Sequence, residues 1–333
     1  MRALLPGFAL ALGACAVAPP PAPPAGQELA QTSYERGIAL REKGEHEGAI
    51  RAFDEAIRLD PRNIEAYIDR GQSHRDRKQY EAAFADFDRA VRLDPLHARA
   101  YVNRGYTWYR LARHEQAIAE YDEAIRLGLK AHYERANAWQ ARGDTERALA
   151  DFSEAIRNDP GFVLAYIGRG ETFTQKGEYD RAIADYGEAI RLEPRAADAY
   201  YGRGGAWHSK RDYIRALADF TEVIRLAPFH MGAHGGMAWL LSTAPDPAIR
   251  DGRRAVDFAR RACELYGWQN PYAIQTLAIA HAEASDYAEA IRWMEEAFKF
   301  PDFARDAGAE ARERLALFRE GKPYHEGLGE KPR

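Results

Sequence analysis

The feature that most constrains this chain of 333 residues is an internal repeat that begins at Ala30. Each of the first six repeats has glycine or alanine at position 8, alanine at position 20, an aromatic residue at position 24 and alanine or valine at position 27. Five of the six also carry proline at position 32. Small residues let two helices approach closely and proline ends the second one, so the pattern predicts a row of helix pairs that bury their apolar faces against each other. The six repeats begin at Ala30, Ile64, Ala98, Leu129, Val163 and Ala197.

This pattern resembles the tetratricopeptide repeat family, and the resemblance covers residues 30 to about 304. It implies an all-α fold, a right-handed superhelical solenoid of about eight helix-turn-helix repeats with a C-terminal capping helix. We expect repeats at 30–63, 64–97, 98–128, 129–162, 163–196, 197–230, 231–270 and 271–304, then the capping helix and tail at 305–333.

Two repeats depart from the pattern. The third is three residues short, which we expect to shorten one loop between repeats and to leave the stacking intact. The seventh is irregular, because the segment TAPDPAIRDG with two prolines follows its first helix. Residues 305–320 are expected to form the final capping helix, since the last apolar face of a repeat array would otherwise meet water.

The N-terminal residues differ in kind from the repeats. Arg2 precedes an apolar run too short to span a bilayer, and the run ends in Leu12-Gly13-Ala14-Cys15. These four residues resemble the lipobox of bacterial lipoproteins. The resemblance implies a signal peptide at 1–14, a lipidated Cys15, and an outer-membrane lipoprotein that faces the periplasm and contacts the membrane through that cysteine. Residues 15–29 would then be a proline- and alanine-rich spacer, extended because proline fixes φ. An ordinary cleaved signal that yields a soluble periplasmic or secreted protein is the alternative, and an apolar start by chance is the third.

Position 7 is arginine in the first six repeats, and position 23 is acidic in repeats two to six. Both features are absent together from repeats seven and eight, which is typical of ion pairs that are costly to break. We therefore interpret the arginines as structural, in preference to a stripe that binds phosphate or carboxylate ligands; Arg36, in repeat one, has no acid. Asp54 and Asp122, at position 25, are expected on a solvated face. The predicted pairs are Arg70 with Asp86, Arg104 with Glu120, Arg135 with Asp151, Arg169 with Asp185, and Arg203 with Asp219.

The family resemblance also implies that positions 2, 5, 9 and 12 of each first helix line a binding groove. Tyrosines and amides are common there, which suits recognition of an extended or helical segment, although a solvated surface with tyrosines packed between helices is the alternative. No repeat has the lysine with which some family members grip a C-terminal carboxylate. The candidate groove residues are Tyr34, Arg41, Gln72, Arg75, Arg99, Tyr106, Tyr109, Tyr133, Asn137, Gln140, Glu171, Thr174, Tyr201 and His208.

The sequence lacks the common motifs of phosphate-binding, metal-binding and redox sites. It has no GxxxxGK[ST] phosphate loop, no HExxH and no CxxC, and a formal net charge of −4 makes nucleic acid a poor partner. No cofactor or metal is expected, and Cys263 is expected to be a buried, inert thiol.

The sequence thus predicts a non-catalytic scaffold or adaptor that binds one or more proteins or peptides. It leaves open whether the partner is a peptide, a folded surface or a second copy of the chain in a homo-oligomer. A soluble exported or cytoplasmic scaffold without an anchor is the alternative. An enzyme with a site in the seventh repeat, around His230, His234, Trp239 and Asp246, is a remote third.

Overall fold

The computed structural model describes residues 25–327, and within this range the chain forms eighteen α-helices and no strand. Within the described residues the chain divides into two compact lobes, one up to residue 107 and one from residue 108 onward. The first nine helices are α1 (Ala25–Glu42), α2 (His46–Leu59), α3 (Ile64–Asp76), α4 (Tyr80–Leu93), α5 (Ala98–Arg110), α6 (His114–Arg126), α7 (His132–Arg142), α8 (Thr145–Asn158) and α9 (Val163–Gln175). The other nine are α10 (Tyr179–Leu192), α11 (Ala197–Ser209), α12 (Tyr213–Leu226), α13 (Met231–Thr243), α14 (Gly252–Leu265), α15 (Pro271–Glu283), α16 (Tyr287–Ala297), α17 (Pro301–Asp306) and α18 (Gly308–Arg319).

The repeat pattern explains how each helix pair packs. In the second repeat, Ala83 and Ala90 of α4 are fully buried, and the Phe87 ring between them lies against α3. A Cβ built on Gly71 of α3 would lie only 2.7 Å from that ring. In this repeat, glycine at position 8 therefore makes room for the aromatic ring at position 24. The predicted tetratricopeptide fold is confirmed at the level of the helix pair.

The short third repeat does not shorten a loop, so that expectation is wrong. The loop between α6 and α7 spans residues 127–131, one residue longer than the loop at 94–97, and α7 begins only at His132. Gly128, with φ of 92°, ends α6 in a left-handed conformation that glycine adopts without strain. The missing residues come from the helices: α6 has 13 residues where α4 has 14, and α7 has 11 where α5 has 13. α7 still packs on α6.

The insertion of repeat seven packs against the next repeat. Asp251 caps α14, and its backbone N–H donates to the carbonyl of Leu241 at 2.9 Å. A Cβ on Gly252 would lie 2.4 Å from the backbone nitrogen of Ala284, so only glycine fits at the start of α14. Arg250 pairs with Glu283 of α15 at 2.9 Å and holds the insertion in place.

The C-terminal cap consists of two helices where one was predicted. Pro301 begins α17 four residues before the expected start, and α18 follows after Ala307. Phe303 and Phe318 are almost fully buried, and α18 packs on α15 and α16. After α18 the chain turns back as a short segment, Pro323 to Gly327, which we call the strap.

The expectations about residues 1–24 lie outside the described residues; they include the signal peptide, Cys15 and most of the spacer. Among residues 25–327, no helix is long and apolar enough to cross a membrane.

Candidate functional site

Four of the six arginines at position 7 are held in ion pairs by the second helix of their own repeat. In the second repeat, Nε and Nη2 of Arg70 donate to the two carboxylate oxygens of Asp86 at 2.9 and 2.6 Å. The same two-point contact joins Arg135 to Asp151, at 2.7 and 2.6 Å. It joins Arg169 to Asp185 at 2.8 Å for both bonds, and Arg203 to Asp219 at 2.9 and 2.8 Å. These four aspartates are buried, so the pairs belong to the interior of the repeats.

Four of the six arginines at position 7 also donate to the second helix of the preceding repeat, three of them to a carboxylate and Arg169 to the Ser153 hydroxyl at 3.1 Å. Arg70 donates to Asp54 at 2.6 Å, Arg135 to Asp122 at 2.5 Å, and Arg104 to Asp88 at 2.7 Å. Asp54 and Asp122 are exposed, as expected, and each also accepts a hydrogen bond from the following repeat. Although half-exposed, each ties one repeat to the next. Glu120, the predicted partner of Arg104, belongs to the other lobe, and that pair stays a prediction.

In the N-terminal lobe, the candidate groove residues are joined through the buried carboxylate of Asp69. Tyr34 donates its hydroxyl to Asp69 at 2.7 Å, and Arg99 donates to it at 2.6 Å. Arg41 lies 3.5 Å from the same carboxylate and also donates to Gln72. Burial, with the bond to Asp69 second, raises the pKa of the Tyr34 hydroxyl, which therefore stays protonated.

A second buried polar residue extends this network. Asn103 accepts from Gln72 at 2.7 Å and from Arg75 at 3.4 Å. The guanidinium of Arg75 also lies 4.7 Å from the centroid of the Tyr106 ring. The sequence reasoning missed Asp69 and Asn103 because both occupy position 6. The feature by which Asp69 and Asn103 could have been found is a short polar side chain within reach of the candidate arginines.

In the C-terminal lobe, the first helices of successive repeats lie side by side in the order α7, α9, α11, α13, α15. Two adjoining cavities open on them, one of about 490 Å³ and one of about 400 Å³. Tyr201, Gly205 and Phe220 line both cavities. Four further candidates, Tyr133, Asn137, Glu171 and Thr174, line the larger cavity, and His208 lines the smaller. We call this surface of the C-terminal lobe the groove.

Two predicted residues fall outside these cavities. Gln140 and Tyr109 line neither of them. Tyr109 instead lies with its ring centroid 5.6 Å from that of His114, at the start of α6.

Glycines make the room in the groove. A Cβ on Gly205 or Gly235 would meet nothing within 4 Å, so no packing contact requires glycine at either position. Gly232 differs, because a Cβ there would lie 2.5 Å from the Tyr201 hydroxyl. Glycine inside a helix costs about 1 kcal/mol relative to alanine. The sequence reasoning passed over Gly205 and Gly235 because it looked for side chains, whereas their contribution is the space they leave.

The lining of the groove is aromatic, with carboxyl groups near one end. The Tyr133 ring packs 4.8 Å from the Phe162 ring, and the Tyr201 ring 4.6 Å from the His230 ring. Burial raises the pKa of Tyr133, which remains a neutral hydrogen-bonding group. Desolvation within the groove, and secondly the charge of Asp198, raise the pKa of Glu171.

Three residues of the alternative enzymatic site, His230, His234 and Asp246, have separate structural roles. His230 caps α13 by accepting from the Ala233 backbone N–H at 3.0 Å, and His234 contacts the Pro228 carbonyl at 2.9 Å. Asp246 caps a turn of the insertion through Ala248. The described part of the chain has no group of three or more His, Cys, Asp or Glu side chains placed to hold a metal ion. Burial raises the pKa of Cys263 to about 12, so the thiol stays protonated.

Family models match the repeats directly. A tetratricopeptide repeat model matches residues 34–96, 68–132 and 133–189, and a second model of the same repeat matches 170–210. Together these matches extend over more than half of the sequence. The chain belongs to the tetratricopeptide repeat family. Tetratricopeptide repeat proteins typically mediate protein–protein interactions, and the fold is generally a non-catalytic scaffold.

Solved structures share the fold at low sequence identity. Yeast Tom70 is 18% identical with a TM-score of 0.55, over 87% of this chain and 64% of that one. A tetratricopeptide repeat protein from Parabacteroides merdae is 15% identical with a TM-score of 0.52, over 88% of this chain and 99% of that one. PilW, a type IV pilus biogenesis factor, is 16% identical with a TM-score of 0.57, over 62% and 97%. Comparison with curated protein sequences finds no significant match.

Proposed function

We propose that this protein is a non-catalytic adaptor that binds a segment of a partner protein in the groove of the C-terminal lobe. The observation that carries the proposal is the pair of adjoining cavities, about 490 and 400 Å³, lined by side chains at groove positions and opened by Gly205. A cavity of this size accommodates a large side chain of a bound segment, and aromatic walls give such a side chain a rigid apolar contact.

The rim of the groove supports the same proposal. Leu164, Met231 and Tyr272 line the two cavities and are 51%, 40% and 55% exposed. Apolar side chains grouped around a cavity are typical of surfaces that a partner covers. Hydroxyl and amide groups such as Tyr201 and Asn137 supply hydrogen bonds that orient a bound backbone.

Filling the cavity tests the proposal. We expect Gly205→Leu to fold normally, because no atom lies within 4 Å of the new Cβ, and to place its side chain where both cavities meet. Capture of the partner after crosslinking in cell envelopes should fall by about tenfold, roughly 1.4 kcal/mol of binding free energy.

Gly187→Leu is the matched control, since Gly187 is also a helical glycine with open space around it but lies on α10, away from both cavities. Capture that stays at the wild-type level with Gly205→Leu, or falls equally with Gly187→Leu, would remove the groove from the account.

We further propose that Cys15 is lipidated and that the protein is held at the outer membrane, facing the periplasm. The proposal rests on Leu12-Gly13-Ala14-Cys15 and on the proline-rich spacer that follows. Labelled palmitate should enter the wild-type protein and not Cys15→Ser, and only the wild type should fractionate with membranes. Equal labelling, or a soluble wild type, would favour the unanchored exported scaffold.

A further inference from the structure

The strap lies across the first helices of repeats six to eight. The backbone N–H of Glu326 donates to the Thr243 carbonyl of α13 at 2.8 Å. The His325 ring lies 2.7 Å from Glu283 of α15, and the Tyr324 ring centroid lies 4.6 Å from the guanidinium of Arg314. These contacts place an extended segment of the chain itself next to the proposed binding surface.

One carboxylate of the strap reaches three groups that can donate to it. The Trp239 indole N–H donates to Glu326 at 2.5 Å and the Tyr213 hydroxyl donates at 3.1 Å, while Nε2 of His208 lies at 3.2 Å. Trp239 and His208 also line the smaller cavity, and both occupy groove positions, 9 in repeat seven and 12 in repeat six. Glu326 therefore binds at the edge of the groove and leaves the cavity open.

Capping does not explain this contact. The end of the repeat array is already covered by α18, which buries Ala311, Leu315 and Phe318. Tyr324 of the strap packs against the apolar core near Trp239. Glu326 reaches back to α11, α12 and α13, not to the last helix pair. Another carboxylate could take the place of Glu326 and accept the same hydrogen bonds, so that no buried donor would be left unpaired.

We infer that Trp239, Tyr213 and His208 form a recognition site for the carboxylate side chain of an acidic partner segment, and that the strap competes for this site. The inference rests on the groove proposed above and specifies its partner. The acidic residue takes the place of Glu326, and a neighbouring apolar residue of the same segment enters the cavity beside Trp239. The partner must then displace the strap, so occupancy by the strap lowers the apparent affinity.

The probe for this proposal is a fluorescent peptide with the sequence of residues 320–331, measured by anisotropy against the full-length protein. Glu326→Gln should loosen the strap without removing any helix. We expect this variant to bind the peptide about tenfold more tightly than the wild type does, the factor for a site that its own strap fills roughly nine-tenths of the time. Glu320→Gln is the control, because Glu320 is exposed and pairs only with Lys322 in the described contacts; it should bind like the wild type.

A second measurement distinguishes carboxylate recognition from non-specific binding. In the Glu326→Gln protein, Trp239→Phe keeps an aromatic side chain but removes the indole N–H, so binding should weaken about tenfold. The same loss should follow when the peptide carries Gln in place of its Glu326. Equal binding by wild type and Glu326→Gln, indifference to either carboxylate change, or a lower melting temperature with no peptide binding would each overturn the proposal. None of these results depends on the natural partner, whose capture is tested independently by Gly205→Leu.

Discussion

At the scale of single residues, the arginine at position 7 can link three helices when both neighbouring second helices offer an aspartate. Arg70 contacts Asp86 on its own repeat and Asp54 on the preceding one. The Asp86 side chain is 6% exposed and the Asp54 side chain 53%, so the two carboxylates meet very different dielectric environments. Burial makes the loss of Asp86 costly, because Arg70 would keep its charge with half of its partners.

This difference gives a prediction for stability. Asp86→Asn should lower the free energy of unfolding by about 2 kcal/mol, the range for buried hydrogen bonds to charged groups. Asp54→Asn should cost less than about 1 kcal/mol, since the exposed pair is screened by water. Urea denaturation followed by circular dichroism measures both. Equal losses for the two variants would contradict the assignment of the inner pair as the structural one.

Residue patterns predicted the inner pairs, because an arginine and an acid that appear and disappear together can be recognised within one repeating chain. The outer partners were missed, since Asp54 and Asp122 sit at surface positions, where an acid needs no explanation. Gly205 and Gly235 were missed for another reason. A repeat pattern is recognised from the side chains that are present, whereas these two glycines contribute to the cavity by having none.

At the scale of helices, the repeat period and the proline at position 32 predicted most of the helix boundaries. Starts such as Ile64, Val163 and Ala197 coincide with the first residues of their repeats. The errors fall where local chemistry decides. Gly128 ends α6 and delays α7, and Pro301, which is favoured in the first turn of a helix, begins the cap early. The strap has no periodic pattern, so its docking could not be predicted from the sequence.

The strap contact should depend on pH. Desolvation raises the pKa of Glu326, but the contacts with His208, Trp239 and Tyr213 outweigh it and hold the pKa below its ordinary value of 4.5. A lowered carboxyl pKa stabilises docking above 4.5, and this stability is lost as pH falls through the lower folded value. Burial, and then Glu326 itself, raise the pKa of Tyr213 to about 12, so that the hydroxyl keeps its proton over the acidic range.

We therefore expect the strap to stay docked from pH 7 to about 5 and to leave below about 4.5. The Trp239 indole N–H resonance, assigned with Trp239→Phe, should shift over that lower range, while the Trp207 indole serves as an internal reference. A resonance that shifts in the same way in Glu326→Gln would show that another group is responsible.

At the scale of the whole molecule, the two lobes use the same repeat differently. The groove positions of the N-terminal lobe bond to each other through Asp69 and Asn103. Those of the C-terminal lobe leave two cavities with exposed apolar rims. One repeat pattern thus predicts the fold of both lobes. A few buried polar residues and glycines then decide which lobe offers an open surface. We therefore assign partner binding to the C-terminal lobe.

Site-specific photo-crosslinking tests this assignment most directly. A photoreactive phenylalanine analogue would replace Tyr201, which lines both cavities and is 39% exposed, or Ile214, which is 71% exposed on α12 and lines neither. After irradiation of intact cells, we predict a discrete adduct with a partner protein from position 201 and none from position 214. An adduct from position 214 alone, or the same adduct from both positions, would contradict a partner seated in the groove.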